Sequence, residues 1–421
     1  MLDIKLFRDD LEAVIKSEKK RGRDGDNARK VLEFDEKWRA AVRKGDELRQ
    51  KRNEASKKVA LAKDPNEREK LITETKAVND EIGRNDNDIA DFLKKRDEYR
   101  YKVGNILLED VPIGNEEKNQ VIRTFGKKPG FDFEPKAHVD LTRDLDLAEL
   151  DKAAEISGAR FYYLKNEMVI LHMALIRYAL DELMKKGYNV MLTPFMVKRP
   201  VIEAAAELAD FEQQLYKVDD DMFLIATSEQ TLAALHMNEA IQENDLPKVY
   251  GGFSTCFRKE AGSHGKDTKG VFRVHQFDKV EQYVFCSPEE SGKWFDKMIS
   301  VSEELMKGLK LHYQVVSIAS QEMNDNAAKK YDIEVWMPSQ NQYREMVSCS
   351  NCTDYQARKL NVRIIMNKGG REILHTLNST ALAMPRLITA ILENCQKKDG
   401  SVKIPEVLWK YTGFKEMKQK K

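Results

Sequence analysis

The sequence predicts an α+β protein: an N-terminal antiparallel coiled-coil hairpin, then an antiparallel sheet flanked by helices. Three observations carry that expectation. Residues 1–110 are about half charged and hold two long apolar stripes of helical period. The remainder has ordinary composition and many short strand-like runs. Few helices separate those runs, which argues for α+β rather than alternating βαβ units.

The hairpin comes first. Residues 1–110 contain 28 Lys+Arg and 26 Asp+Glu, with Pro65 their sole proline. Val31, Phe34, Trp38, Ala41, Leu48, Ala55, Val59 and Ala62 follow a 3-4 rhythm, with Gly45 and Arg52 in two gaps. Leu71, Thr75, Val78, Ile82, Ile89, Phe92, Tyr99 and Val103 keep the same rhythm, with Asn85 and Arg96 in the gaps. A seam repeating every 3.5 residues holds two supercoiling helices in register. Asp64-Pro65-Asn66 turns between them, because proline bars helix continuation backwards. Residues 28–62 and 66–101 would each span roughly 50–55 Å at about 1.5 Å per residue. Two helices of equal length around a tight turn make a rod, not an ordinary domain.

The two helices differ in charge. Residues 28–63 carry 12 basic and 6 acidic side chains, whereas residues 64–102 carry 9 and 11. Arg43, Lys44, Arg49, Lys51, Arg52, Lys57, Lys58 and Lys63 crowd the distal half of the first. Such a stripe suits a phosphate backbone, read by charge and shape. It also suits a solvated coiled-coil face, and the hairpin alone leaves both readings open.

The chain as a whole narrows the classes. With 421 residues and 41% apolar side chains it can bury a sizeable core in two or three domains. A net charge of +1 excludes a globally basic nucleic-acid binder, and DNA is not an expected partner. No apolar stretch reaches about 18 residues, so no ordinary membrane span is expected. Met1-Leu2-Asp3-Ile4-Lys5 lacks the apolar region of a secretory signal. Five cysteines suit free thiols in a reducing cytosol.

From Val111-Pro112-Ile113-Gly114 onward the expected elements are those of the second domain, 111–421. Gly126–Pro135 reads as linker and Phe161–Gly187 as helix. Strands are expected at Asn189–Thr193, Phe223–Ala226, Gly252–Arg258, Val271–Phe277, Val280–Phe285, Tyr313–Ile318, Asp332–Met337, Gln342–Val347 and Glu372–Asn378. Helices are expected at Glu229–Glu243, Glu289–Leu309 and Arg386–Glu393, and a frayed basic tail at Lys415–Lys421.

The chemistry concentrates in one hairpin. Phe257-Arg258-Lys259-Glu260 leads through a polar loop, Ala261–Gly270, with Lys266, Asp267 and Lys269. The chain returns as Val271-Phe272-Arg273-Val274-His275-Gln276-Phe277-Asp278-Lys279-Val280-Glu281. Arg258, Glu260, Arg273, His275, Phe277, Lys279 and Glu281 alternate along extended chain, so they share a face. A face carrying guanidiniums, carboxylates and an aromatic ring cannot be a dry core. It can hold a triphosphate, a purine and an ammonium group.

This hairpin resembles the second signature motif of class II aminoacyl-tRNA synthetases. Val274–Glu281 followed by Gln282 resembles the seryl branch in particular. Thr376-Leu377-Asn378-Ser379-Thr380-Ala381 through Pro385-Arg386 and Leu387–Glu393 resembles the third motif, a strand entering a helix. Proline is acceptable in that helix's first turn. Gly187–Pro194 is similar to the first motif, and Thr227-Ser228-Glu229 to the seryl loop that reads the substrate amino group. The resemblance runs over essentially the whole chain and gives residues 1–110 the role of a tRNA-binding domain.

The resemblance implies a reaction and its parts: L-serine and ATP give seryl-adenylate, and serine passes to the 3′ end of tRNA(Ser). The serine carboxylate needs no base, only placement and relief of charge repulsion. Arg258 and Arg386 are the catalytic candidates: Arg258 on the α-phosphate, Arg386 on the γ-phosphate near a helix start. Phe277 would stack on adenine, with Arg386 or Arg273 beside it, and Glu260 would fix the adenine amino group or the motif arginine. Arg273 would grip the outer phosphates. Lys259, Val274, Glu345, Met346, Val347 and Ser348 complete the implied ATP site. Glu345 and Ser348 are hard oxygen ligands for Mg2+. Thr227, Ser228, Glu229, Arg258, Glu281, Asn378 and Thr380 make the implied serine site, the hydroxyl bridging Glu281 and Thr380. Arg43, Lys44, Arg49, Lys51, Arg52, Lys57 and Lys58 are the implied tRNA contacts. A cytoplasmic homodimer is expected, and tRNA(Sec) is a second candidate acceptor.

Other signals carry less. Cys349-x-x-Cys352 lacks a second pair and reads as two unligated thiols near the nucleotide pocket, and Cys256, Cys286 and Cys395 read as small core residues. His275 sits in the hairpin and could orient a neighbour; His172, His236 and His312 read as ordinary. No P-loop or GxGxxG occurs. Two competing functions are an adenylate-forming enzyme loading a carrier protein and a non-catalytic RNA-binding paralogue. The basic hairpin argues against the first, and the presence of Arg258, Arg273, Arg386, Glu229, Glu281 and Glu345 against the second.

Overall fold

The computed structural model describes residues 1–205, 214–260 and 270–419. The polar loop at 261–269 and the last two residues of the basic tail lie outside the described residues. The chain divides into two units, Leu2–Gly104 and the remainder from Asn105.

In the first unit two short helices, α1 (Ile4–Asp9) and α2 (Leu11–Lys20), precede α3 (Asp26–Leu61) and α4 (Pro65–Arg100). The long helices have 36 residues each, with Asp64 capping α4 and Pro65 in its first turn. The two polar gaps in the second stripe register the pair. Asn85 donates to the Ala41 carbonyl at 2.9 Å, and a Cβ on Gly45 would stand 2.9 Å from the same amide nitrogen. Glycine at 45 thus makes room for a buried hydrogen bond that a one-turn slip would break. Near the other end Arg96 lies 5.2 Å over the Trp38 ring, while fully buried Asp35 accepts from Arg8 at 2.8 Å and Arg39 at 3.0 Å. Burial disfavours the Asp35 carboxylate, but these arginines outweigh it and hold its pKa below the ordinary value.

The second unit is built on an eight-stranded sheet among the described residues. Its strands in chain order are β1 (Gln120–Phe125), β2 (Asn189–Leu192), β3 (Lys248–Phe257), β4 (Gln276–Cys286), β5 (Tyr313–Ser317), β6 (Lys329–Met337), β7 (Gln342–Asn351) and β8 (His375–Ala383). Their spatial order is β1-β5-β6-β7-β8-β4-β3-β2. Every pairing is antiparallel except that of edge strand β2, which runs parallel to β3. Helices α5 (Glu167–Lys185), α7 (Ser291–Gly308) and α8 (Met384–Asn394) cover the sheet with Leu171, Leu175, Phe295, Met298, Leu387 and Ile391. No helix among the described residues is long and apolar enough to cross a membrane.

Several expected elements differ. The helix expected over Glu229–Glu243 is only α6 (Glu229–Ala233), followed by a 3-10 turn at Ala234–His236 and a strand at Ala240–Gln242. That strand pairs in parallel with Arg363–Ile365, a contact distant in sequence that overrides local propensity. The stretch Val271–His275 is not strand; pairing begins at Gln276. The run Glu372–Asn378 divides between Arg371–Ile373, in a small separate sheet, and β8. The tail does not fray throughout: Glu416–Met417 pairs with Val402–Lys403 and buries Met417.

Candidate active site

The sheet's open face carries a cleft of about 250 Å³, walled by β4, β6–β8, the start of α8 and the segments carrying Thr227, Glu229, Arg258 and Phe272–Val274. Alternation alone puts Phe277, Lys279 and Glu281 of β4 on this face. On β7, Met346, Ser348 and Ser350 face it by the same rule. Glu345 should then point away, yet it also lines the cleft. The cause is a β-bulge: Ile333 pairs with Val347 and Glu334 with Glu345, leaving Met346 extra. A second bulge at Ala381 works likewise on β8, where Asn378 and Thr380 face the cleft before it and Ala383 after it. The next helix turn brings Pro385 and Arg386 to the rim.

One end of the cleft is acidic and hydroxyl-rich. Glu229 Oε1 accepts from Asn378 at 2.9 Å and from Gln356 at 2.8 Å. Gln356 is itself fixed, its oxygen accepting from the Tyr283 and Thr376 hydroxyls at 2.9 Å each. Glu281, nearly fully buried, takes the Lys279 ammonium at 2.5 Å and the Thr380 hydroxyl at 3.5 Å. Thr227 accepts from the Glu229 amide at 3.2 Å. The loop bearing Thr227 and Glu229 sits close because Gly252 has no side chain: a Cβ there would lie 2.8 Å from Leu232 of α6.

The other end is cationic and aromatic. Arg258 stacks 5.2 Å over Phe277, and its Nε donates to the Ala226 carbonyl at 3.2 Å. Arg386 lies 5.7 Å over Phe272 and donates to Glu345 Oε1 at 3.0 Å. Arg273 is 3.7 Å from Glu260. Partial desolvation in the cleft opposes ionisation of Glu345, whose side chain keeps 42% exposure, but Arg386, Lys330 and Arg258 prevail and bring its carboxyl down to about 2. Asp332, opposite Ser348 on β6, behaves differently. Its burial pushes the carboxyl up to about 7 although Lys330 opposes this at 3.5 Å, and the negative Glu345 adds to the rise.

Most residues singled out from sequence meet here: Thr227, Glu229, Arg258, Glu260, Arg273, Val274, Phe277, Glu281, Glu345, Met346, Ser348, Asn378, Thr380 and Arg386 all line the cleft. Three do not. The Ser228 hydroxyl is buried and donates to the Gly252 carbonyl at 3.2 Å, anchoring the loop. Lys259 lies 5.8 Å over Tyr216, and Val347 is in the core. His275 also leaves the expected face, because pairing starts only after it; its Nδ1 bonds the Arg258 carbonyl at 2.8 Å and its ring packs 5.3 Å from Phe161. Arg258 is the arginine over the Phe277 ring. The sequence reading missed Asn324, Asn326 and Lys330, which lie in or just before β6. Starting that strand at Asp332 hid the alternation of Lys330 with Asp332. Cys349 and Cys352 are buried free thiols, and the Asn378 amide approaches Cys352 sulfur at 3.5 Å.

On the hairpin, Lys44, Lys51 and Lys58 recur every seven residues and are exposed along one line. Lys44 pairs with Glu81 at 2.9 Å and Arg49 with Asp86 at 2.7 Å, so part of the basic stripe is internally compensated.

Comparison with known proteins agrees with this geometry. A family model described as the seryl-tRNA synthetase N-terminal domain matches residues 1–107, and the tRNA synthetase class II core domain (G, H, P, S and T) matches 211–395. The chain is 52% identical to a serine–tRNA ligase of Methanosphaera stadtmanae over 418 residues, 99% of each chain. It is 45% identical to that of Pyrococcus horikoshii, covering 99% of this chain and 97% of the relative. The crystal structure of seryl-tRNA synthetase from Pyrococcus horikoshii complexed with ATP superposes with a TM-score of 0.93 at 44% identity over both full chains. The cytoplasmic serine–tRNA ligase of Naegleria fowleri in complex with AMP gives 0.88 at 39% identity, covering 100% of this chain and 99% of that one.

Proposed function

Because the chain belongs to the seryl-tRNA synthetase family, we propose that it is a serine–tRNA ligase working through this cleft. One observation supports the reading above others. A cation–aromatic end suited to a nucleotide and an acid–hydroxyl end suited to a small amino acid share one cavity.

In the first step a serine carboxylate oxygen attacks the α-phosphorus of ATP, the bond to the β-phosphate oxygen breaks, and pyrophosphate leaves. Arg258, held between the Ala226 carbonyl next to Thr227 and the Phe277 ring, is assigned to the α-phosphate, where its fork offsets repulsion between carboxylate and phosphate. Arg386, in the first turn of α8, is assigned to the outer phosphates with Arg273. Phe277 offers its free face to adenine and Glu260 an acceptor to the adenine amino group or to Arg273. Glu229 and Thr227 take the serine ammonium, Glu281 and Thr380 its hydroxyl, and Asn378 orients Glu229. In the second step a 3′-terminal ribose hydroxyl attacks the serine carbonyl carbon, the bond from that carbon to the phosphate oxygen breaks, and AMP leaves with that electron pair while the hydroxyl proton passes to the departing phosphate or to water.

Glu345 and Ser348 fit a divalent cation. Both are hard oxygen donors on one bulged strand, and buried Asp332 Oδ1 next to them has no protein partner. Mg2+ held there with phosphate oxygens would supply charge neutralisation along the triphosphate. We assign residues 1–110 to tRNA(Ser) binding and 111–421 to catalysis. Exposed Val169, Ile170 and Met173 on α5 and Leu192 on edge strand β2 support a homodimer. A cytoplasmic location fits free thiols at all five cysteines. The test is aminoacylation of total tRNA with labelled serine, followed by sequencing of the charged species. Serine on tRNA(Ser) is expected; its absence rejects the ligase reading, and label on tRNA(Sec) extends it.

A further inference from the structure

Beneath the cleft, β4 presents Phe277, Lys279 and Glu281 in succession, so Lys279 stands between the aromatic and the carboxylate. Its ammonium lies 2.5 Å from Glu281 Oε2, and the side chains are 8% and 2% exposed. The Thr380 hydroxyl donates to that same oxygen at 3.5 Å. Across the neighbouring strands Lys279 faces Ser254 and Ala383, neither of them charged. A carboxylate this far from water is strongly unfavourable unless paired, and Lys279 supplies the pairing.

On the serine-ligase reading, we propose that Lys279 is a positioning residue for substrate selection. It holds Oε2 of Glu281 so that Oε1 is the oxygen presented to the serine hydroxyl. Lys279 itself touches no reacting atom. Its effect is to convert a carboxylate that could turn in its pocket into an acceptor with one fixed direction. Alanine would then leave Oε1 buried and unpaired, which is the source of discrimination by a buried polar group. The lysine's position between the two ends of the cleft also separates its effect from nucleotide binding: the adenine stack on Phe277 does not require it.

The test is serine- and ATP-dependent pyrophosphate exchange by the full-length protein, with each substrate varied in turn. Lys279→Met should raise serine KM by about 10–100-fold, the loss of a charge-assisted arrangement. ATP KM should stay within about threefold. Lys279→Arg should recover most of the serine KM. An unchanged serine KM in Lys279→Met, an equal rise in both KM values, or an arginine variant no better than methionine would overturn the inference. Should Lys279→Met not fold, the double variant Lys279→Met/Glu281→Gln, which buries no lone charge, is compared with Glu281→Gln. If lysine acts through the carboxylate, adding Lys279→Met to Glu281→Gln changes serine KM by less than about twofold; a further tenfold loss overturns the inference. The unaltered protein in the same assay keeps the two claims apart. Its failure to exchange with serine rejects the ligase reading, whereas normal exchange by it and by Lys279→Met rejects only the role of the lysine.

Discussion

Arg386 Nη1 donates to Glu345 twice, at 3.0 Å to Oε1 and at 2.9 Å to the backbone carbonyl. The first turn of α8 is thereby tied to the bulge of β7, and the arginine and the carboxylate reach the outer-phosphate end as a unit. The link helps keep Glu345 ionised, with Lys330 and Arg258 assisting. Its folded pKa of about 2 lies below the usual 4.5, so its stabilising contribution is present above pH 4.5 and is lost as pH falls toward 2. Activity between about pH 6 and 8 should therefore show no inflection from Glu345. Glu345→Gln should raise the Mg2+ concentration for half-maximal exchange at least about fivefold, as the loss of a charged oxygen ligand requires. An unchanged Mg2+ requirement would contradict its assignment.

Arg258 is held by the Ala226 carbonyl, next to Thr227, and by the Phe277 ring. Arg258→Ala should reduce serine-dependent exchange by about 10²–10³-fold or more, the range for removing one preorganised charge donor. Circular dichroism and tRNA affinity should be unaltered. Near-normal exchange would move the α-phosphate elsewhere.

Gly252 is a packing determinant of the serine end. Its Cβ would press on Leu232, against a helix whose loop is also tied to the Gly252 carbonyl by Ser228. Gly252→Ala should destabilise by about 1–3 kcal/mol. Serine KM should rise more than ATP KM, because α6 carries Glu229 and not the nucleotide groups. Denaturant melts and two-substrate kinetics check both parts; a stable variant with normal serine KM would show that the loop does not depend on this contact.

The hairpin should act on tRNA and not on adenylate formation. Lys51 and Lys58 are exposed one heptad apart, on the helix with the positive balance. If each meets a phosphate, Lys51→Ala/Lys58→Ala should lower the salt slope of tRNA binding by nearly 2, at about 0.9 per lost contact on a duplex. Pyrophosphate exchange should not change. An unaltered slope would place the contacts elsewhere on the arm.

Much of this was legible in the sequence, for reasons that differ by element. The hairpin was legible because its seam repeats over ten turns, and even its interruptions, Gly45 and Asn85, were visible as gaps. Their reason was not, since it lies in a contact between helices. On β4, strict alternation gave Phe277, Lys279 and Glu281 correctly. It failed at His275, where the chain has not yet entered the sheet, and it could not have placed Glu345 and Ala383, which bulges return to the cleft side. Resemblance supplied Glu345 where periodicity would have rejected it. Gln356 carried no signal at all. It is a helix residue whose importance lies in three side chains and one backbone carbonyl that converge only in the fold.

The most direct measurement is ATP–pyrophosphate exchange by the unaltered protein with each of the twenty amino acids in turn. If the cleft is a serine–adenylate site, L-serine drives exchange, alanine and glycine fall far below it, and omission of Mg2+ stops the reaction. Exchange driven by another amino acid in preference to serine, or by none, would contradict the assignment of Glu229, Glu281 and Thr380 to a small hydroxylated substrate.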